Sequence, residues 1–349
     1  MSDFIEEELS FYFNHIAENI GVYQASSDVE NVIYKELQGR GFVFFNTPIV
    51  HHGVHEYNGP TAEVITGVSS ISRYFLRQSA QFEKQLIVMA GKKPYFQKSF
   101  CFRPGEDGKF HIPYHNQIDL ELPFQSGTTT PAEAKEKVIS ILLGIIAPSL
   151  AIGGKEIENI ARIPYERAME VHGNDSPYIA PSKKNGVNIT IVENPPLFRK
   201  KNGALETVIH PMAQPILTPE EEKRFVSGDM SLEEMKRIKV YGYDIVASSP
   251  DMFQSGEAVK GLEISGGSVR TKNADVQKRV VELTLPQYAQ DYRPLVGLLA
   301  RFKDTDDYSA GAAVGLERLV MSAMGITDVK KTLPLPWRSN SPAFAQRLG

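Results

Sequence analysis

The runs at residues 95–102 and 117–124 are apolar and strand-like, and a turn-rich segment at 104–109 lies between them. Chain that leaves and returns over so short a distance pairs with itself, so this spacing predicts an antiparallel β-hairpin. Period-two alternation in VNITIV at 187–192, closed by Asn194, Pro195 and Pro196, marks another strand, and further strand signals stand at 41–50, 243–247 and 261–264. Helical spacing covers 4–40, 81–90, the apolar-faced stretch 131–152 and the charged stretch 220–239, while 312–325 reads as a strand passing into a helix. Strands interleaved with helices and joined by Gly- and Pro-rich loops predict an α+β fold, an antiparallel sheet flanked by helices. With no repeat, low-complexity tract or linker, residues 1–349 read as a single domain.

A chain of 349 residues can bury most of its apolar surface without stapling. The formal net charge is −4. Nucleic-acid affinity draws largely on phosphate neutralisation by Lys and Arg, so an acidic average leaves that affinity to a local patch. The single cysteine, Cys101, rules out an internal disulfide framework and fits a reducing compartment. The first residues are acidic and lack a signal-peptide layout, and the longest apolar run, 138–152, is interrupted by Gly144 and Pro148 and is too short to span a bilayer. A cytoplasmic protein is expected.

Chemistry concentrates in CFRPGEDGKFHIPYHNQIDLE at 101–121. An arginine on a strand, a polar glycine-containing loop, a histidine and then a strand bearing carboxylates can hold a polyphosphate on one side and a cationic group on the other. This stretch, with Arg103 and the strand QIDLE at 117–121, resembles motif 2 of the class II aminoacyl-tRNA synthetases. GLERLVM at 315–321 resembles their motif 3, and the strand at 41–50 with Thr47-Pro48 resembles motif 1, whose proline belongs to the dimer interface in that family. QSAQFEKQ at 78–85, RIPYERAMEVHGNDSP at 162–177, HPMAQP at 210–215 and GLEISGGSVR at 261–270 are similar to segments of bacterial-type aspartyl-tRNA synthetases. The resemblance is to their catalytic core and covers most of residues 28–338.

The resemblance implies the class II synthetase fold and an ATP-dependent enzyme that makes an aminoacyl-adenylate, with ATP and Mg2+ as cofactors. It places Arg103 on the α-phosphate and on the carboxylate being activated, Arg318 and His111 on the γ-phosphate, and His115 against adenine. The two arginine roles call for a permanent charge with fork geometry. Glu263, helped by Asp244, matches the acidic pair that carries the metal, since hard cations take oxygen ligands. Lys84 and Arg270 would converge on the substrate's side-chain carboxylate with His210 capping it, which favours aspartate because an amide leaves two buried charges poorly compensated. Gln81, Asp119 and Glu56 would meet the substrate ammonium. Positioning and electrostatic stabilisation suffice for this reaction, so no general base or covalent nucleophile is expected.

Several positions depart from the family. Gly105 stands where a Glu belongs, Tyr114-His115 replaces a Glu-Phe pair, and residues 247–260 look inserted between Asp244 and Glu263. No counterpart of the family's anticodon-binding domain is visible, and GNDSP at 173–177 runs within a few residues into the 187–192 strand, where bacterial enzymes insert a further domain. The reading is therefore a stand-alone, asparagine-synthetase-like paralogue that activates aspartate or a close analogue and transfers it to ammonia, an amine or a carrier group. It is expected to pair as a homodimer through motif 1. The alternatives are a truncated aspartate–tRNA ligase that charges a tRNA or tRNA-like acceptor, and a non-catalytic regulatory paralogue that binds aspartate or ATP.

Overall fold

The computed structural model describes residues 2–52, 61–64, 74–105, 107–201, 203–253 and 260–336. The helices are α1 (Ser2–Gly39), α2 (Gln81–Gly91), α3 (Pro131–Ile152), α4 (Tyr165–His172), α5 (Pro219–Ser227), α6 (Leu232–Met235), α7 (Ala274–Thr284), α8 (Arg293–Arg301) and α9 (Leu316–Met324). The strands begin with β1 (Val43–Phe44), β2 (Val50–His52), β3 (Glu63–Val64), β4 (Tyr74–Leu76), β5 (Tyr95–Phe102), β6 (Tyr114–Gln125) and β7 (Glu156–Pro164). They continue with β8 (Gly186–Glu193), β9 (Phe198–Lys201), β10 (Ala204–Thr207), β11 (Gly242–Ser248), β12 (Leu262–Val269) and β13 (Asp307–Gly315).

Eight strands make one sheet in the order β1-β5-β6-β13-β12-β11-β8-β7. Its pairs are antiparallel except at the two edges, where β1 runs parallel to β5 and β7 parallel to β8. The hairpin fixes the two faces. Gln97 lies opposite Asp119 and Ser99 opposite Gln117, so the odd-numbered residues of β5 and β6 share one face and the even-numbered ones the other. Phe96, Ile118, Leu120 and Leu122 on the even face join Val29, Ile33 and Leu37 of α1, Val138, Leu142, Ile145 and Leu150 of α3, and Leu316, Leu319 and Val320 of α9 in one core. Each such fully buried aliphatic side chain contributes roughly 1.5–3 kcal/mol of transfer free energy. α3 starts at a capping box, Thr130 with Glu133, and ends where a Cβ on Gly153 would lie 1.9 Å from the Ala323 carbonyl oxygen of α9. Only glycine permits that approach.

Four sequence expectations change. The strand expected over 41–50 is broken into Val43–Phe44 and, from Val50, the start of β2, because the Thr47 amide and hydroxyl turn to the Gln97 side chain and Pro48 offers no donor. The charged helix at 220–239 is two short helices, each with its own capping box, separated by Gly228 at φ 87°. Of the stretch 247–260, Ala247 and Ser248 complete β11 and Pro250–Phe253 forms a 3₁₀ turn, while 254–259 lie outside the described residues. β7 was not anticipated: it pairs only with β8 at a sheet edge and has no continuous buried side, so its sequence shows no apolar alternation. Among the described residues, no helix is long and apolar enough to cross a membrane.

Candidate active site

The face of the central strands turned away from α1, α3 and α9 holds a cavity of about 290 Å³, at the small end for a ligand pocket. Gly311, Ala313 and Gly315 of β13 oppose Glu121, Asp119 and Gln117 of β6, and these small residues leave the space above the sheet open. Eleven residues singled out in the sequence line it: Gln81, Lys84, Arg103, His111, His115, Asp119, His210, Asp244, Glu263, Arg270 and Arg318. Glu56 lies outside the described residues.

At one end stand two buried ion pairs. Lys84 Nζ, from α2, lies 2.6 Å from Asp119 Oδ1. Arg270, just past β12, donates through Nε and Nη2 to the two oxygens of Glu121, each at 3.0 Å. Ser309 adds a hydrogen bond to Glu121 at 2.7 Å. Burial pushes the Asp119 carboxyl up, but Lys84, Ser99 and Gln117 outweigh it and hold it below the usual carboxylate range. The two cations expected to meet a substrate carboxylate are thus each already held by a β6 carboxylate, and Asp119, expected to meet the ammonium, is already paired with Lys84. The fork of Arg270 still presents Nη1 to Ser268 Oγ at 2.8 Å and to the His210 ring. Burial, then Arg270 and Lys84, holds His210 far below its ordinary value, so its ring is neutral.

At the other end the hairpin loop folds over the cavity. Gly105, at φ 92°, turns the chain out of β5, which explains glycine at a position where the family carries Glu. The loop is latched by Gly108 N–H to the His111 carbonyl at 2.8 Å, by Val329 N–H to the Lys109 carbonyl at 2.8 Å and by Lys330 to Asp107 at 2.8 Å. Arg318 is aimed by backbone oxygens, donating from Nε to the Phe110 carbonyl at 3.3 Å and from Nη1 to the Glu263 carbonyl at 3.1 Å. His115 is pushed down to about 3 by burial and then by the charges of Arg103 and Arg318, leaving a neutral ring. Tyr114 does not line the cavity; its hydroxyl donates to the Leu335 carbonyl at 3.1 Å.

Between the two ends sit carboxylates. Asp244 is raised well above its ordinary value by burial, then by Glu263 and Asp175. A Cβ on Gly266 would fall 2.7 Å from Asp244 Oδ1 and 3.6 Å from Glu263 Oε1, so Asp244 crowds bare backbone with Glu263 in ordinary contact beside it. Oxygen donors that repel one another fit a hard divalent cation, which would relieve that repulsion. Among the described residues no group of three or more His, Cys, Asp or Glu forms a metal cage, so other oxygens, such as those of phosphates, would complete the shell.

Residues 17–339 match the family described as tRNA synthetases class II (D, K and N). The chain belongs to this family. Its curated relatives are named as ligases that join aspartate to tRNA. An aspartate–tRNA(Asp/Asn) ligase of Magnetococcus marinus is 34% identical over 149 residues, 42% of this chain and 23% of that protein. An aspartate–tRNA ligase of Lysinibacillus sphaericus is 30% identical over 165 residues, 44% of this chain and 25% of that protein. The match thus spans about a quarter of the length of these curated relatives. The asparaginyl-tRNA synthetase of Pyrococcus horikoshii, solved with asparaginyl-adenylate, superposes with a TM-score of 0.67 at 14% identity, covering 96% of this chain and 73% of that one. The aspartyl-tRNA synthetase of Entamoeba histolytica gives 0.58 at 17% identity, covering 92% and 59%. These likenesses bear out the class II synthetase fold. The relatives' names pair aspartate with tRNA, so the comparisons favour the tRNA alternative over ammonia, an amine or a carrier as acceptor.

Three groups of this synthetase's site were not assigned from sequence. Glu121 stands in the QIDLE strand two residues from Asp119, and the period of two puts both on one face. Glu317 accepts from the Asn116 amide and side chain at 2.6–3.1 Å, tying α9 to β6 beneath the cavity. Asp175 reaches the cavity from the turn after α4, inside the 162–177 stretch that resembles the family, where no single residue was assigned a role.

Proposed function

We propose that this synthetase joins aspartate to ATP as aspartyl-adenylate and passes the aspartyl group to the 3′ end of a tRNA. The observation that carries the amino-acid reading is Arg270: Glu121 fixes two of its nitrogens, the third bonds Ser268 and the His210 ring, and the residue lines the same cavity as Lys84 and Asp119. A side-chain carboxylate there gains a cation whose geometry is set before binding, whereas an amide would leave that edge poorly matched. Gln81 and Asp119 lie within the same end for the substrate ammonium, a role Glu56 would share.

In the reaction a carboxylate oxygen of aspartate attacks the α-phosphorus, an oxygen–phosphorus bond forms, and pyrophosphate leaves with the electrons of the bond that breaks. Arg103 holds the α-phosphate and the attacking carboxylate together, and Arg318 and His111 hold the γ-phosphate. The neutral His115 ring stacks on adenine without adding charge. Asp244 and Glu263 would hold Mg2+, which when bound offsets charge on the phosphate oxygens. The exposed Val43, Phe45 and Ile49 at the β1 edge suit pairing with a second copy of the chain, and a cytoplasmic location suits this chemistry.

A second reading, transfer to ammonia or an amine, draws on the short connection between α4 and β8 and on the net charge of −4. The acceptor test separates the two. Enzyme, ATP and aspartate are incubated with tRNA, ammonia or hydroxylamine in turn, and the product is identified by mass. An aspartyl ester on tRNA is expected; free asparagine from ammonia with uncharged tRNA would overturn the tRNA acceptor.

A further inference from the structure

A buried hydrogen-bond relay runs from the loop after β1 to the amino-acid end of the cavity, and its direction is fixed by its first donor. Arg77, buried, can only donate, and its Nη1 lies 2.6 Å from Thr47 Oγ1. The Thr47 hydroxyl therefore gives its proton onward, to Gln97 Oε1 at 2.9 Å. The Thr47 amide N–H also donates to Gln97 Oε1 at 2.9 Å, and a backbone N–H cannot be an acceptor. That contact settles the orientation of the Gln97 amide: its oxygen faces Thr47 and the Tyr95 hydroxyl, and its NH2 faces Ser99 Oγ at 2.7 Å. Ser99, receiving that donor, keeps its own proton to offer; it lies opposite Gln117, which holds Asp119, and its hydroxyl is among the groups that keep the Asp119 carboxyl low. Asp119 accepts from Gln117 Nε2 at 3.0 Å and from Lys84 Nζ at 2.6 Å. The register that sets Gln97 opposite Asp119 and Ser99 opposite Gln117 brings these groups together.

We propose that Thr47, Gln97 and Ser99 are positioning residues that hold Asp119, and through it Lys84, in the orientation that binds the amino acid. None of the three lines the cavity. The relay rests on the reading that this end of the cavity takes the amino acid. It implies that displacement of the Thr47–Pro48 loop, which lies between the exposed Phe45 and Ile49 at the sheet edge, changes amino-acid affinity.

The test compares Ser99→Ala and Thr47→Val with the unaltered enzyme in ATP–pyrophosphate exchange, with KM measured separately for the amino acid and for ATP, and with crystal structures of both variants. The amino acid is whichever one the unaltered enzyme exchanges, so failure with aspartate alone falls on the functional reading and not on the relay. Losing one hydrogen bond to a charged group raises the amino-acid KM by about tenfold while the ATP KM stays within about twofold. Thr47→Ser, which keeps the hydroxyl, returns the amino-acid KM to within about threefold of the unaltered value. An amino-acid KM unchanged in folded Ser99→Ala, or KM values for both substrates rising in parallel, overturns the relay. If Ser99→Ala does not fold, Thr47→Val decides by the same criteria. A Thr47→Val structure with Asp119 and Lys84 unmoved also overturns it, independently of any activity.

Discussion

Gly311→Ala should separate Arg270 from Glu121 without altering either residue. Gly311 of β13 lies opposite Glu121 of β6, and a Cβ there would fall 2.1 Å from Glu121 Oε2 and 2.2 Å from the Leu120 carbonyl oxygen. Ordinary contacts between heavy atoms lie near 3.5–4.0 Å, so the methyl must displace the carboxylate or the strand by more than about 1 Å. The strand is held by nine paired positions between β6 and β13, and the carboxylate is the softer partner. Moving it breaks two 3.0 Å bonds to a guanidinium that stays buried. Uncoupling a buried pair in this way costs about 3–5 kcal/mol, which for a protein of this size lowers Tm by roughly 4–7 °C. Loss of aspartate-dependent exchange should exceed the loss of stability, because Arg270 is no longer aimed. Gly297→Ala is the control: it is an exposed position in α8 with nothing within 4 Å of the added Cβ, and it should gain about 0.5–1 kcal/mol. The assays are thermal melting and pyrophosphate exchange on both variants. A Gly311→Ala protein with unaltered Tm and exchange would refute the inference that the Arg270–Glu121 pair shapes the pocket.

Gly266→Ala places a methyl 2.7 Å from Asp244 Oδ1, so the Mg2+ concentration giving half-maximal exchange should rise about tenfold; an unchanged requirement would remove Asp244 from the metal's neighbourhood. Arg318→Lys keeps the charge and loses the fork, so kcat/KM for ATP should fall by about ten- to a hundredfold, and a value equal to that of the unaltered enzyme would argue against its phosphate role. Folding stability should decline as pH falls from 6.5 towards about 3, because the unfolded chain protonates His115 there while the fold keeps the ring neutral. The slope attributable to His115 approaches about 1.4 kcal/mol per pH unit, and denaturant titrations of His115→Gln should show a slope smaller by that amount; equal slopes would contradict the depressed value.

Much of this architecture was legible locally. The β5–β6 hairpin announces itself by a turn between two alternating runs, and the same alternation places Gln117, Asp119 and Glu121 on one face. The capping boxes Thr218 with Glu221 and Ser231 with Glu234 mark two helix starts where the charge pattern alone suggested one helix. Other features depend on partners distant in sequence. Whether Arg270 meets a substrate or a protein carboxylate is set by the register of β12 on β13 and of β13 on β6, which no local spacing reveals. β7 has no continuous buried side to write into its sequence, and Asp175 comes to the cavity from a turn. The eleven described residues of the expected site were found together because the family resemblance supplied their assembly; their individual neighbourhoods would not have done so.

The most direct test of aspartate activation is ATP–pyrophosphate exchange measured with aspartate and with asparagine in parallel. Arg270 and Lys84 at the amino-acid end predict exchange that depends on aspartate, with asparagine weaker by at least about a hundredfold. Exchange driven equally well by asparagine, or absent with both, would contradict it.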